Sequence, residues 1–302
     1  MQNLQKSFWL MTIASIAGAL IAVSIKALSS HTSIAVIFFF TRLFLLVGAI
    51  PAILKYRTSL FKIKKWGVMI AMSALYVAAF YCYFYSLVLV PLAISSLLMN
   101  SAPLYVPVIA FFILKDQSIK SKLLWFTMMI SFVGVALVLS PSGKSHYSMI
   151  GFLLAFLSGI LLAASQVLTK LMTHNEVPHR IAIFQTLMSI IMTLFPALFI
   201  IAHHGSHYLT NLFTLKNSVM LILCGISSWI FQLYRAKAMT YAPVSFAMPF
   251  GYLGVVFVGL LDLIFWDVLP DATSIFGMLI VIAGVVLSLQ FNKGKNNADL
   301  IR

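Results

Sequence analysis

A succession of long apolar segments, joined by short polar connections, limits what this chain can fold into. Each has about 20 residues, the length at which a helix crosses the hydrocarbon core of a bilayer. With 62% apolar side chains in 302 residues, a soluble fold would have to cover its surface with them. The sequence therefore predicts one all-α membrane domain whose ten transmembrane helices cover about 8–28, 34–54, 66–88, 92–114, 123–140, 149–169, 181–202, 218–239, 244–266 and 274–291.

The positions of the basic residues predict one orientation of these helices. The chain has 20 lysines and arginines and a net charge of +14, but these residues lie in short connections rather than along one face. Such a distribution follows the positive-inside rule and argues against a nucleic-acid surface. With the N-terminus inside, 16 of the 20 fall on the cytoplasmic side, Arg235 and Lys237 among them. We therefore expect a multi-pass protein of the cell inner membrane, in contact with the lipid bilayer and with both termini cytoplasmic.

Motifs for other kinds of chemistry do not occur. Cys82 and Cys224 fall inside apolar segments, and neither their number nor their spacing suggests a disulfide framework or a zinc site. The chain has no GxxxxGK[ST] loop for a nucleotide and no HExxH or GxSxG arrangement for catalysis. We expect no cofactor, no metal and no enzymatic activity.

The two halves of the chain resemble each other. From Ile37 the second span reads IFFFTRLFLLVGAIPAIL, and from Ala182 the seventh reads AIFQTLMSIIMTLFPALF, which aligns with it without a gap. The fifth and tenth spans share a Gly-Val pair, at Gly134 and Gly284. These matches predict two repeats, at 8–140 and 149–291. Because each repeat has five helices, an odd number, the second would cross the membrane inverted, a plan that places a substrate site between the halves near the midplane.

Three segments carry a resemblance to a known family. They read VPLAISSLLMNSAPLYVPVIAFFILKD at Val90–Asp116, YAPVSFAMPFGYLGVVFVGLLDLIFWD at Tyr241–Asp267 and FGMLIVIAGVVL at Phe276–Leu287. In these segments the chain resembles the EamA-type carriers of the drug/metabolite transporter superfamily, which have ten helices in two five-helix repeats. The resemblance covers about the whole chain. The acidic residues that end the fourth and ninth spans, commonly Glu in the family, are Asp116 and Asp267 here.

Within that family, a further combination of motifs suggests a substrate class. The second span, Tyr241-Ala242-Pro243 and the stretch from Trp266 to Asp271 are similar to carriers for S-adenosylmethionine uptake. This resemblance implies a secondary transporter that moves S-adenosylmethionine, or a similar nucleoside-like or amino-acid-like compound, by alternating access. An exporter of amino acids or related metabolites, a lipid flippase and an accessory membrane subunit stay open as alternatives.

Charged residues inside apolar spans mark a solute path, because a charge at that depth normally faces protein or a water-filled cavity. Arg42 lies about 12 Å below the outer end of the second span at a rise of ~1.5 Å per residue. Its planar fork suits a substrate carboxylate or phosphate. Asp262, near the outer end of the ninth span, is the candidate for proton coupling. The alternative for both is that they lock helices together.

Polar residues and prolines on the fourth and ninth spans predict a cavity wall. Ser96, Asn100, Pro103 and Pro107 recur at intervals of four, three and four, so they would share one face of a continuous helix. Ser245, Pro249 and Tyr252 follow a similar spacing in the ninth span, and Tyr252 corresponds to Asn100 by the repeat offset. The prolines would bend the helices during gating. Simple helix packing is the alternative.

The remaining substrate-binding candidates are polar or aromatic side chains well inside spans. Trp229 and Gln232 are three residues apart and would share a face that offers a flat ring both stacking and hydrogen bonds. Gln166 and Gln185 are further amide groups within spans.

Overall fold

All the regular structure in the described part of the chain is helical. The computed structural model describes residues 2–29, 33–56, 63–90, 92–139, 148–204, 212–267, 269 and 271–299. Two single turns of 3-10 helix, Gln117–Lys120 and Met248–Tyr252, interrupt the longer elements. The α-helices are α1 (Gln2–Ser29), α2 (Ile34–Tyr56), α3 (Trp66–Leu89), α4 (Leu92–Asn100), α5 (Ala102–Leu114), α6 (Lys122–Val138), α7 (Met149–Thr173), α8 (Pro178–His204), α9 (Leu215–Tyr241), α10 (Val244–Ala247), α11 (Leu253–Trp266) and α12 (Ala272–Asp299).

The apolar helices have membrane-spanning length. Within the described residues, nine helical stretches are long and apolar enough to cross a bilayer, counting α4 with α5 as one stretch and α10 with α11 as another. The tenth predicted span, α6, has 17 residues. At ~1.5 Å per residue it reaches about 26 Å, slightly less than a typical hydrocarbon core of ~30 Å. The prediction of an all-helical, multi-pass membrane protein is confirmed.

The fourth span is broken rather than continuous. The α4 helix ends at Asn100, and α5 begins at Ala102 with Pro103 in its first turn. Proline lacks the N–H that would bond to the carbonyl four residues earlier, so the helix cannot run through this position unchanged. The interruption is one residue, Ser101, whose φ of −73° and ψ of −8° are right-handed, so a shared face for Ser96, Asn100, Pro103 and Pro107 stays a prediction.

The ninth span breaks at the corresponding place. Its first turn, α10, leads into the 3-10 segment that contains Pro249 and ends at Tyr252, before α11 begins. Tyr252 follows Asn100 by 152 residues, and the same interval separates Lys115 from Asp267. Both of these residues end a helix in the left-handed conformation, with φ of 55° and 51°. The two spans thus share a break and an ending at one sequence offset.

Helices of the first half pack mainly on helices of the second. Among the described helices, the three most extensive contacts are α1 with α9, α3 with α7, and α6 with α12. The pair α2 and α9 has a counterpart in α8 and α3, while α1 with α11 has a counterpart in α7 with α4 and α5. If each helix is replaced by its counterpart in the other half, the main packing pairs therefore stay the same.

The contact between α6 and α12 depends on glycine. A Cβ added to Gly134 would lie 2.7 Å from the carbonyl oxygen of Gly277 and 2.7 Å from the nitrogen of Val281. A Cβ on Gly277 would meet the carbonyl oxygen of Gly134 at 2.7 Å. Since these neighbours are backbone atoms, a side chain could fit only if the helices moved apart. Small residues allow such close approach in membranes.

We predict that Gly134→Ala lowers stability by about 1–3 kcal/mol, the usual cost of overpacking a tight contact. The measurement is thermal unfolding of the purified protein in detergent. Gly67→Ala is the matched control, because a Cβ there meets nothing within 4 Å. It should be neutral or slightly stabilising, since alanine favours helix over glycine. Equal melting temperatures for Gly134→Ala and Gly67→Ala would contradict the close contact between α6 and α12.

Candidate functional site

Arg42 is buried in a setting of aromatic rings. Its side chain is 5% exposed, in the ninth position of α2. The guanidinium carbon Cζ lies 4.6 Å from the ring centre of Phe38, 5.4 Å from that of Tyr76 and 5.8 Å from that of Phe80. A guanidinium is attracted to the negative face of such rings at these distances. The rings attract the positive guanidinium of Arg42, but they carry no negative charge that would neutralise it.

Helical spacing explains how the sequence places these aromatic rings around Arg42. Phe38 precedes Arg42 by four residues on α2, and Tyr76 precedes Phe80 by four on α3, so each pair lies on one helix face. The rings of Phe38 and Phe80 stack at 5.3 Å with 23° between their planes. The second and third spans therefore meet through aromatic contact beside the arginine.

A second buried arginine, Arg235, lies against the same tyrosine. Its Cζ is 4.9 Å from the ring centre of Phe231 and 5.7 Å from that of Tyr76, and the side chain is 3% exposed. The sequence placed Arg235 at the end of the eighth span and counted it with the cytoplasmic residues, without predicting its burial. It lies within α9, six residues before the helix ends. A phenylalanine four residues earlier, as at Arg42, is the signal that could have identified it.

Arg42 and Arg235, which we call the arginine pair, lie close together. Both Cζ atoms contact the ring of Tyr76, so they are no more than about 11 Å apart. Tyr76 is the eleventh residue of the 24-residue helix α3, about 15 Å from its start at the usual rise. The pair therefore lies halfway through the bundle, at the depth where carriers bind their substrates.

Among the described residues, no carboxylate forms an ion pair with either member of the arginine pair. The Nε atoms of both are buried without a hydrogen-bond partner. By contrast, Arg180 pairs with Glu176 one turn earlier on the chain. Cation–π contact contributes about 2 kcal/mol when desolvated, whereas removing a charge from water costs several kcal/mol. The arginine pair is thus left with positive charge that an anion would neutralise.

Three buried glutamines add hydrogen-bonding groups on the helices that surround the site. Gln166 Oε1 on α7, Gln185 Nε2 on α8 and Gln232 Nε2 on α9 have no partner among the described residues. Gln232 Oε1 accepts a bond of 3.3 Å from Thr186 Oγ1. Gln232 also precedes Arg235 by three residues, so the two share a face of α9.

Trp229 lies in a packing contact between helices. It is buried together with Leu45 and Ala49 of α2, Ile183 of α8 and Leu233 of α9. The structure therefore places the indole between α2, α8 and α9, where it fixes the helix that carries Arg235.

The fourth-span and ninth-span candidates have contacts of their own. Ser96 Oγ and Tyr83 Oη are 2.9 Å apart, and Asn100 Nδ2 donates to the Ser96 carbonyl at 2.8 Å. Tyr252 is buried against Val135 of α6 and its hydroxyl has no partner among the described residues. Asp262 belongs to α11, but its side chain lies outside the described part of the structure.

A hydrogen bond joins the two halves at one end of the bundle. Ser245 Oγ donates to Asp116 Oδ2 at 3.0 Å, and the Ser118 backbone N–H donates to Asp116 Oδ1 at 2.9 Å. Within the second half, Lys170 Nζ at the end of α7 donates to the carbonyl oxygens of Met239, at 2.5 Å, and Ala242, at 3.0 Å. We call the bond between Ser245 and Asp116 the end clamp.

Comparison with known proteins identifies the family. The sequence profile of the EamA-like transporter family matches residues 5–140 and again residues 149–290. A pseudopaline exporter of Pseudomonas aeruginosa is 27% identical over 222 residues, which is 72% of each chain. An S-adenosylmethionine uptake transporter of Rickettsia bellii is 22% identical over 257 residues, 85% of this chain and 82% of its own.

The fold has a counterpart among solved structures. One crystal structure superimposes with a TM-score of 0.79 over 94% of this chain and 98% of that one, at 14% identity. The family and the named relatives are transporters rather than enzymes. With a profile match over nearly the whole chain, this protein belongs to the EamA-like transporter family.

Proposed function

We propose that this protein is a secondary carrier for a small organic metabolite whose carboxylate binds Arg42. The observation that carries the proposal is the position of Arg42: buried halfway through the bundle, contacted by aromatic rings and without an ion pair to any described carboxylate. A planar guanidinium can bind a carboxylate through two parallel hydrogen bonds. A substrate anion would neutralise a charge with which no described carboxylate pairs.

Transport would follow an alternating-access mechanism built on two inverted repeats, 8–140 and 149–291. Three observations support this arrangement: the two separate profile matches, the breaks at Asn100 and Tyr252, and packing partners that correspond when the halves are exchanged. Five helices per repeat require opposite orientations in the membrane. Two related halves around one central site supply two gates that can open in turn.

The end clamp is the proposed gate on the cytoplasmic side of the cell inner membrane. With both termini cytoplasmic, the ends of α5 and α9 face inward, where the bond between Ser245 and Asp116 joins the halves. Opening inward would break this bond. In the clamped arrangement, substrate would reach the arginine pair from the outer side.

The relatives support amino-acid-like or nucleoside-like substrates without fixing the direction of movement. One relative is named for uptake of S-adenosylmethionine and another for export of pseudopaline. We propose S-adenosylmethionine and related amino-acid-derived metabolites as the first candidates. Export of such a metabolite is the second candidate, and it is favoured by the higher identity to the exporter.

We predict that Arg42→Ala raises the substrate concentration for half-maximal transport about 10-fold to 100-fold, because a hydrogen-bonded charge contributes about 1.5–3 kcal/mol. The measurement is uptake into proteoliposomes of labelled S-adenosylmethionine, riboflavin, several amino acids and a nucleoside. Both orientations of inserted protein are assayed, so that import and export are each detected. Arg42→Lys should retain part of the affinity, since it keeps the charge and loses the planar fork.

The matched control for Arg42→Ala is Lys122→Ala, which removes one positive charge from an exposed position at the start of α6. It should transport like the wild type. If a carboxylate-bearing compound that the wild type transports moves equally well in Arg42→Ala, the proposed role of Arg42 is wrong.

We predict that Ser245→Ala loosens the end clamp, because it removes the donor to Asp116 Oδ2. The loss of a bond to a charged acceptor, about 1.5–3 kcal/mol, should shift the population of inward-open protein about tenfold or more. The measurement is labelling of Val106→Cys, a buried position near the clamp, by an impermeant thiol reagent from the cytoplasmic side. Cys82 and Cys224 are first replaced by alanine.

Thr240→Ala is the control for the clamp. Its hydroxyl donates only to the Lys237 carbonyl of its own helix, so its removal leaves the contact between the halves intact. The rate at which Val106→Cys is labelled in the Thr240→Ala variant should then equal the rate in the parent protein. A Ser245→Ala variant that labels at the parent rate would show that the contact does not hold the gate.

Coupling to protons is proposed to depend on Asp262, the acidic residue farthest inside a span. Asp262→Asn should abolish uphill accumulation in a pH gradient while exchange of labelled for unlabelled substrate continues. Asp271→Asn, in the connection after α11, is the control and should still accumulate substrate. Continued accumulation in Asp262→Asn would exclude this residue from coupling.

A further inference from the structure

Arg235 supplies the central site with a cation that a substrate bearing one carboxylate does not require. It is as deeply buried as Arg42, and it contacts Tyr76 in the same way. Its Nε atom, like that of Arg42, has no partner among the described residues. No described carboxylate pairs with either arginine, so the arginine pair places two positive charges, on α2 and α9, in one region of the bundle.

The two charges also act on each other. Arg42 repels Arg235 electrostatically, and the low dielectric of the interior strengthens that repulsion. The apolar and aromatic side chains nearby provide no opposite charge. One carboxylate would neutralise one guanidinium and leave the other buried with its charge. Two anionic groups would neutralise both and remove the repulsion.

We propose that the substrate is a small organic dianion, with one anionic group bound by Arg42 and the other by Arg235. This inference rests on the proposed function, and it narrows the substrate class from carboxylates to molecules with two negative groups, which removes S-adenosylmethionine, with its single carboxylate, from the candidates. The Cζ atoms are at most about 11 Å apart, so a single small metabolite can span them. The rings of Phe38, Tyr76 and Phe231 offer apolar contact to the carbon chain between the anionic groups.

A purely structural role for Arg235 makes a different prediction. If its cation–π contacts with Phe231 and Tyr76 served only to hold α9 against α3, its replacement would weaken binding of all substrates alike. If Arg235 binds a second anionic group, its replacement removes the preference for dianions and leaves the affinity for monoanions unchanged. The ratio of the two affinities therefore distinguishes these roles.

The experiment uses the full-length protein with matched pairs of compounds: succinate, glutarate and adipate, each beside its own monoamide. Ligand-induced thermal stabilisation in detergent and competition for uptake in proteoliposomes are both measured. The wild type should bind at least one dicarboxylate about tenfold more tightly than its monoamide. Arg235→Ala should bind the two members of that pair equally, while Arg235→Lys should retain part of the preference.

Lys237→Ala is the matched control, because it removes a positive charge two residues along the same helix. Lys237 contacts the ring of Tyr234 and not that of Tyr76, so the preference for the dicarboxylate should persist. Arg235→Gln serves as a second variant if Arg235→Ala is not recovered as a monodisperse protein, and it should lose the preference in the same way.

The outcomes separate this inference from the proposed function. Arg42-dependent transport with equal affinity for a dicarboxylate and its monoamide would leave the proposed carrier intact and overturn the dianion proposal. A dicarboxylate preference that survives in Arg235→Ala would also overturn it. If none of the dicarboxylates, monoamides or carboxylate-bearing panel compounds binds or moves, both proposals fail.

Discussion

The arrangement of this protein around its centre depends on the cost of burying positive charge in an apolar bundle. A guanidinium removed from water loses several kcal/mol of hydration, and contact with aromatic rings returns only part of it. Here two guanidiniums contact the same tyrosine, and no described carboxylate pairs with either. Elsewhere in the chain a buried carboxylate and an arginine do pair, at Glu176 and Arg180. The unpaired charges at the centre are therefore a property of the site rather than of the fold in general.

The packing of the halves is what brings these charges together. Arg42 lies on α2, Tyr76 on α3 and Arg235 on α9, so the site exists only where helices of both halves of the chain meet. Glycine contacts between α6 and α12, and the end clamp between Asp116 and Ser245, hold the same two halves at other places. A carrier that opens by moving one half against the other would then change the separation of Arg42 and Arg235. Binding and gating would thus depend on one interface.

Much of the fold could be predicted from the sequence, because the bilayer imposes a length and an apolar composition on each span. The breaks in the fourth and ninth spans were signalled by Pro103 and Pro249, yet the sequence analysis predicted bent continuous helices. A missing N–H shows that a helix must change, while neighbouring packing decides whether it bends or stops. The role of Trp229 in packing α2 against α9 had no signal at all, because an indole can serve a cavity or a contact equally well.

By itself, the sequence determined the number, length and helical character of the spans, the family, and the burial of Arg42, since a charge amid apolar residues must lie within the protein. It did not predict the burial of Arg235, because a charge near the end of a span is equally compatible with an exposed end or with the interior. Only the tertiary structure decided between these, by packing α9 against α3 so that the guanidinium meets the ring of Tyr76. Contacts between residues more than 150 positions apart leave no local pattern, and so the second arginine of the site emerged only when the halves were assembled.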